Sequence, residues 1–397
     1  MDIRTRIVGL LIAAIIVALA ARRLRLPYTV GLVIAGAGLA MTRLQTGALL
    51  THDLIFDLIL PPLLFDAALC IHWQELRRDL AIVLTLATLG VVVSATVVAA
   101  GMVRLLGWPL EAACVFGVLI AATDPVSVIA LFKDVGIGGR VRFLVESESL
   151  LNDGVAAVLF TLVLAWTQVG GMPTVEHSAL RFAFVVGGGI AVGLGSGVAA
   201  ILVAGRTDDH LVETALSAVA AYESFYLAEY LHCSGVLATV CAGLTMGNLG
   251  LLRTDDRGLL SVQGRAAVEG FWEFAAFLAN SFVFLLIGLA VADIQLVRLG
   301  PAVFATIIAL VLVGRAATVY PLCALFRWSR MAVPLAEQHV LWWGGLRGAL
   351  ALALALALPP DMARHGDILI ATFGVVVFSV VVQGLTMPPL LRWLGLR

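Results

Sequence analysis

Asp66, Asp124 and Asp153 are carboxylates inside stretches that otherwise read as lipid-spanning. Asp153 sits in the run Glu146-Ser147-Glu148-Ser149-Leu150-Leu151-Asn152-Asp153-Gly154, after which Val155 to Trp166 is apolar apart from Thr161. An ionisable side chain at bilayer depth costs about 3 kcal/mol on insertion scales, and chains keep such groups where they face a polar cavity, a partner or an ion path. On a helix, Glu146, Ser149 and Asp153 fall at i, i+3 and i+7 and share a face, with Glu148 and Asn152 on a neighbouring one. A carboxyl group shut away from water holds a proton or a small cation, and the two compete for it. That competition alone couples proton flow to cation flow, provided the site holding neither moves poorly. The plainer alternative is a structural acid satisfied by its neighbours.

Asp124 precedes Pro125 in Ala121-Ala122-Thr123-Asp124-Pro125. Proline lacks an N–H and turns the residue before it away from helical geometry. The break frees carbonyls around Thr123, which a bound cation or a neighbouring helix end must satisfy inside the membrane. Asp66 follows Leu60-Pro61-Pro62-Leu63-Leu64-Phe65 and either anchors a helix end or lines the approach to an ion. Arg347 stands in Gly344-Gly345-Leu346-Arg347-Gly348, an otherwise uncharged stretch. A buried guanidinium needs a carboxylate. Glu148 is the expected partner of Arg347, as a structural pair, and Glu146 that of Arg315. Phe271-Trp272-Glu273 and Asn280-Ser281 read as polar contacts across a helix interface about as readily as an ion path.

These residues must be held by a membrane bundle. The chain has 397 residues, 61% hydrophobic and 13% charged, where soluble domains carry roughly 25% charge. A net charge of −1 does not suggest nucleic acid, and five cysteines, an odd number without CxxC spacing, argue against a disulfide framework or zinc site. With about 20 apolar residues per span, thirteen spans are expected: 6–21, 27–43, 51–70, 79–104, 111–134, 140–168, 179–204, 208–228, 232–250, 266–293, 300–327, 335–358 and 366–394. Ala18-Leu19-Ala20 imitates a signal-peptide cleavage site, but Arg22, Arg23 and Arg25 follow at once, which favours a retained first helix. A single membrane domain over 1–397 with no soluble domain is expected. Sixteen basic residues fall on the C-terminal side of the membrane, seven on the other and two within spans, which puts the C-terminus in the cytoplasm and the N-terminus outside.

The fifth and twelfth spans are interrupted in the same way, each followed by one long span. With 179–204 as connector, 1–168 and 208–394 form two six-helix halves, one inverted relative to the other. Interrupted helices at matching positions point to a binding site at the midplane.

At these residues the chain resembles the NhaP-type monovalent cation:proton antiporters, relatives of the animal sodium/proton exchangers. The matching pieces are Leu60 to Asp66, Ala122 to Pro125, Glu146 to Gly154 and Gly344 to Ala349, in family order across essentially the whole chain. The resemblance implies an all-α fold of two inverted six-helix repeats with crossed broken helices, and a homodimer with a moving core beside a dimerisation domain. It implies a shared proton and sodium site at Asp153. Ser149, Asp124, the Thr123 carbonyl and Asp66 would complete the ion's shell. Glu148 with Arg347 would be the structural pair, and Asn152 would brace the crossed helices through Thr123. Asp66 departs from the Glu of many microbial members, a shorter arm, and Ser147 from a common Gly. The Asn152-Asp153 pair implies the electroneutral branch, one proton for one sodium.

The expectation is therefore a plasma-membrane Na+/H+ antiporter that exports sodium or lithium against protons, is not an enzyme and uses no cofactor. Potassium/proton exchange is the rival within transport. A passive cation channel and an intramembrane aspartyl protease are remoter, the latter because no GxGD-like run surrounds the three acids.

Overall fold

The computed structural model describes residues 9, 12–17, 19–20, 23, 27–40, 51–124, 128–129, 132, 136–169, 174–253, 258–293 and 299–396. The helices run in chain order as α1 (Tyr28–Ala40), α2 (Leu60–Leu69), α3 (Trp73–Leu106), α4 (Leu110–Leu119), α5 (Gly139–Val169), α6 (Val175–Ala204) and α7 (His210–Tyr230). They continue as α8 (Gly235–Met246), α9 (Val262–Asp293), α10 (Pro301–Leu325), α11 (Leu335–Trp343), α12 (Ala349–Leu356), α13 (His365–Phe378) and α14 (Gly384–Trp393). π-helical turns precede α2 (Leu54–Ile59), follow α8 (Gly247–Leu251) and join α13 to α14 (Ser379–Gln383). Described helical residues fall in all thirteen expected spans, and no strand occurs among the described residues. Among the described residues six helices, Trp73–Leu106 and His365–Trp393 among them, are long and apolar enough to cross a membrane.

Local chemistry sets the ends. Thr174, Asp209 and Ser234 each accept a backbone N–H with their side chains and start α6, α7 and α8. Gly107, with φ of 65°, closes α3 in the left-handed conformation that glycine adopts freely. Pro61 and Pro62 lack the N–H groups that would bond the carbonyls of Asp57 and Leu58. Tyr226 and Tyr222 of α7 donate their hydroxyls to those two carbonyls, both at 3.1 Å. The double proline therefore stays inside a membrane span because a neighbouring helix satisfies what it leaves open.

The helices pack in two groups. In one, α3 lies along α10, α4 and α5, and α10 meets α11. In the other, α1 lies along α9, α2 along α8, and α8 along α6 and α7. Two close crossings in the second group match each other by position in the halves. Gly36 of α1 abuts the backbone of Leu285 and Gly288 in α9. Gly243, with Gly247 of the following turn, abuts the backbone of Phe65 and Leu69 in α2. These are the second against the tenth span and the ninth against the third. Absent side chains let the helices approach closely, the usual basis of packing in a bilayer.

Candidate functional site

α4 stops at Leu119, and residues 122–124 run on without helical structure. Pro125 lies outside the described residues. α11 stops at Trp343, and the chain is again non-helical through 345–348 before α12 begins. The two breaks cross. The Asp124 N–H donates to the Leu346 carbonyl at 2.7 Å, and Gly348 lies so close to the Asp124 side chain that a methyl group there would collide with it.

Three carbonyls freed by the first break, those of Ala121, Ala122 and Thr123, are met from other elements. Arg347 Nη1 donates to the Ala121 and Ala122 carbonyls at 2.9 and 3.1 Å. Ser149 Oγ of α5 donates to the Thr123 carbonyl at 2.6 Å and accepts from Thr123 Oγ1 at 3.0 Å. Asn152 Nδ2 reaches the Ala121 carbonyl and Thr123 Oγ1, both at 3.3 Å. Thr123, Ser149, Asn152, Asp153, Glu148 and Arg347 are all buried. The second break is held by the turn after α13: the Arg347 N–H donates to Ser379 Oγ at 3.0 Å, and Gln383 Nε2 to the Trp343 carbonyl at 3.0 Å.

Beside the crossing lies a small cavity of about 30 Å³, lined by Asp153, Asp124, Thr123, Ala122 and Leu150, by Gly348 to Ala351, and by Leu60, Leu63, Leu64 and Ala67 of α2. That volume suffices for a water molecule or a dehydrated alkali ion. Asp153 is 6% exposed and its Oδ1 has no hydrogen-bond partner. A buried carboxylate oxygen in that state needs a proton or a cation. Among the described residues no three His, Cys, Asp or Glu side chains converge on one point. A cation here would complete its shell with hydroxyl and carbonyl oxygens, the donor set that hard cations favour.

The structure thus brings together Asp153, Asp124 and Thr123 at the cavity, with Ser149 and Asn152 holding Thr123. Asp66 is half-buried on α2 and is not among the residues that line the cavity, although its neighbour Ala67 is. The expected ion pairs are corrected. Glu148 pairs with Arg315, not Arg347, through two hydrogen bonds of 2.7 and 2.8 Å. Arg315 also donates to the Leu341 carbonyl of α11. Arg347 spends its guanidinium on main-chain carbonyls instead, and Glu146 has Arg142 at 3.9 Å one helical turn away. The polar residues of α9 cross interfaces: Ser281 bonds Tyr28 at 2.6 Å, and Trp272 donates to Ser217 at 2.9 Å.

Sequence reasoning passed over Ser379 and Gln383. Their signal was present, two polar residues four apart in an otherwise apolar stretch of 366–385 interrupted only by Asp367, Thr372 and Gly residues. It also passed over Asp79, which is buried and pairs with Arg140 at 2.7 Å while Arg140 holds the Met331 and Ala332 carbonyls. Glu213 is fully buried, accepting from the Ser261 N–H and hydroxyl at 3.1 and 3.0 Å.

A sequence profile described as "Sodium/hydrogen exchanger, transmembrane" matches residues 9–393. The chain belongs to this exchanger family. Among its relatives in the family, the Na(+)/H(+) antiporter ApNhaP of Aphanothece halophytica is 41% identical over 94% of this chain and 70% of its own length. The Na(+)/H(+) antiporter NhaH of Halobacillus aidingensis is 36% identical over 100% of this exchanger-family chain and 98% of its own. In fold it is similar to the sodium proton antiporter MjNhaP1 of Methanocaldococcus jannaschii at pH 8, with a TM-score of 0.75 at 21% identity and all of both chains covered.

Proposed function

We propose that this chain is an electroneutral Na+/H+ antiporter in the plasma membrane, exporting sodium or lithium in exchange for one proton. The observation that carries the reading is Asp153, a buried carboxyl with an unpartnered oxygen on a cavity the size of an alkali ion. Sodium would sit there on Asp153, Asp124, the Thr123 carbonyl and Ser149, with Asp66 contributing from the α2 side. A proton on Asp153 removes the charge that holds the ion, so one occupant displaces the other. Relatives named as Na(+)/H(+) antiporters over most of the chain support the substrate pair.

The cavity lies on the boundary between the two helix groups. α2 supplies one wall, from the group of α1, α2 and α6 to α9. The crossed breaks and α5 supply the other. Alternating access follows from the group of α3 to α5, α10 and α11, with the crossed breaks, sliding along the group of α1, α2 and α6 to α9 and carrying the site with it. The excess of basic residues on the C-terminal side supports a cytoplasmic C-terminus, and the family supports a homodimer through the group that does not carry Asp153.

The test is Asp153→Asn in everted vesicles. Sodium-dependent dequenching of a ΔpH-sensitive dye should disappear while folded yield is kept. Dequenching at the wild-type level would remove Asp153 from the mechanism. The same assay in proteoliposomes, run with lithium, sodium and potassium separately, decides between sodium/proton and potassium/proton exchange.

A further inference from the structure

We propose that Ser379 and Gln383 are positioning residues for the ion site, holding the second broken helix from the side opposite Ser149 and Asn152. The inference rests on the reading of the crossed breaks as that site. The end of each first half-helix leaves carbonyls open, and the start of each second half-helix leaves N–H groups open. In the first half, Asn152 of the following long helix places an amide donor on Ala121 O. In the second half, Gln383 of the helical run after α12 places an amide donor on Trp343 O. Ser149 and Ser379 serve the inner part of each break, Ser149 donating to Thr123 O and Ser379 accepting from Arg347 N. Each half thus meets its break with one hydroxyl and one carboxamide side chain, although the local sequences share no motif.

Three further observations tie the pair to function and not only to packing. Both side chains are buried, Ser379 at 1% and Gln383 at 3% exposure. They bound a π-helical turn, Ser379–Gln383, in an otherwise α-helical run, and such turns concentrate at functional sites. Last, what they hold is one step from the carboxylates. Ser379 fixes the Arg347 backbone, the Arg347 side chain caps Ala121 and Ala122, and Leu346 receives the Asp124 N–H. Thr386, one turn further on, adds a third tie by accepting from Trp343 Nε1 at 2.9 Å. Loosening either residue would shift Leu346 and Arg347, and through them Asp124, without touching an ion ligand.

The experiment compares Ser379→Ala, Ser379→Thr, Gln383→Met and Asp153→Asn in the full chain, by folded yield in size-exclusion chromatography, 22Na+ binding to purified protein, and Na+/H+ exchange in proteoliposomes. Loss of one buried hydrogen bond corresponds to roughly a three- to tenfold change in an equilibrium. Ser379→Ala and Gln383→Met should each raise the apparent KM and the Kd for sodium by about that factor. Ser379→Thr, which keeps the hydroxyl, should stay near wild type. Wild-type affinity in both Ser379→Ala and Gln383→Met overturns the proposal. So does a fall in activity that only tracks folded yield with KM unchanged. If Ser379→Ala yields no folded protein, Gln383→Met, close to glutamine in shape but without its donor, decides by the same criterion. Asp153→Asn separates the two levels: if it still binds and exchanges sodium, the site assignment itself falls, whatever Ser379 and Gln383 do.

Discussion

Replacing Arg315 by methionine removes half of a buried bidentate ion pair and strands the other half. The Glu148 side chain is 2% exposed and that of Arg315 6%, and the two carboxylate oxygens receive separate guanidinium N–H groups at 2.7 and 2.8 Å. Asn152 Nδ2 approaches Glu148 only to 3.4 Å, too long to take over. Breaking such a pair from one side costs about 3–5 kcal/mol, because the remaining charge stays in the interior. At about 2 °C per kcal/mol for a chain of this size, the apparent Tm of purified Arg315→Met should fall by about 6–10 °C in heat-treated size-exclusion chromatography. Adding Glu148→Gln removes the stranded charge and should recover at least half of the loss, the non-additivity expected of contacting residues. An Arg315→Met protein within about 2 °C of wild type, or a double variant whose loss equals the sum of the single losses, would refute the assignment of Arg315 as the partner of Glu148.

Other variants probe the crossing and the interfaces. Gly348→Ala places a methyl group against the Asp124 carboxyl and should lower 22Na+ binding far more than folded yield. Gly36→Val drives a side chain into the Leu285 carbonyl and the Gly288 backbone of α9. It should cut the folded yield severely, as measured by fluorescence-detected chromatography, whereas Gly38→Val, with open space around it, should not. Asp79→Asn weakens a pair in which only Asp79 is fully buried and should lower the apparent Tm by less than Arg315→Met. If protons and sodium compete for Asp153, apparent KM for sodium should fall as pH rises, approaching tenfold per pH unit on the acid side. A KM flat from pH 6 to pH 8.5 would contradict the competition.

The sequence disclosed the bundle and the acids at its centre, but not which charges meet. Apolar run length marks spans because a bilayer has a fixed thickness, and described helical residues fall in each of the thirteen expected segments. The breaks at Thr123-Asp124 and Gly344 to Gly348 were legible because proline and clustered glycine have direct backbone consequences. The partner of Glu148 was not. Arg315 and Arg347 are both single guanidinium groups in apolar spans, and choosing between them needs the crossing angles of three helices. The principle that a buried guanidinium must find a carboxylate also failed at Arg347, where half-helix carbonyls supply the negative ends instead. Tyr222 and Tyr226 escaped notice for a related reason. Their role is set by two prolines 160 or more positions away.

The crossing constrains how the molecule moves. The first break hangs on the second through Asp124 N to Leu346 O and through Arg347 to Ala121 O and Ala122 O, while α5 and the Ser379–Gln383 turn grip one break each. Separating the breaks would expose several buried backbone groups at once, each costing on the order of 1–3 kcal/mol when left unpaired. A transport motion that opened the site by parting them would face a barrier of many kcal/mol. The wall opposite the carboxylates carries no such penalty, since Leu60, Leu63, Leu64 and Ala67 offer the cavity apolar side chains. Two polar ties across that boundary sit near its ends, His52 Nδ1 with the Ala353 carbonyl at 2.9 Å and the Trp73 N–H on Asn248 Oδ1 at 2.7 Å. A slide along α2 would exchange apolar contacts at Leu60, Leu63, Leu64 and Ala67 for others of the same kind, and would keep Asp153, Asp124 and the crossed breaks together as one moving body.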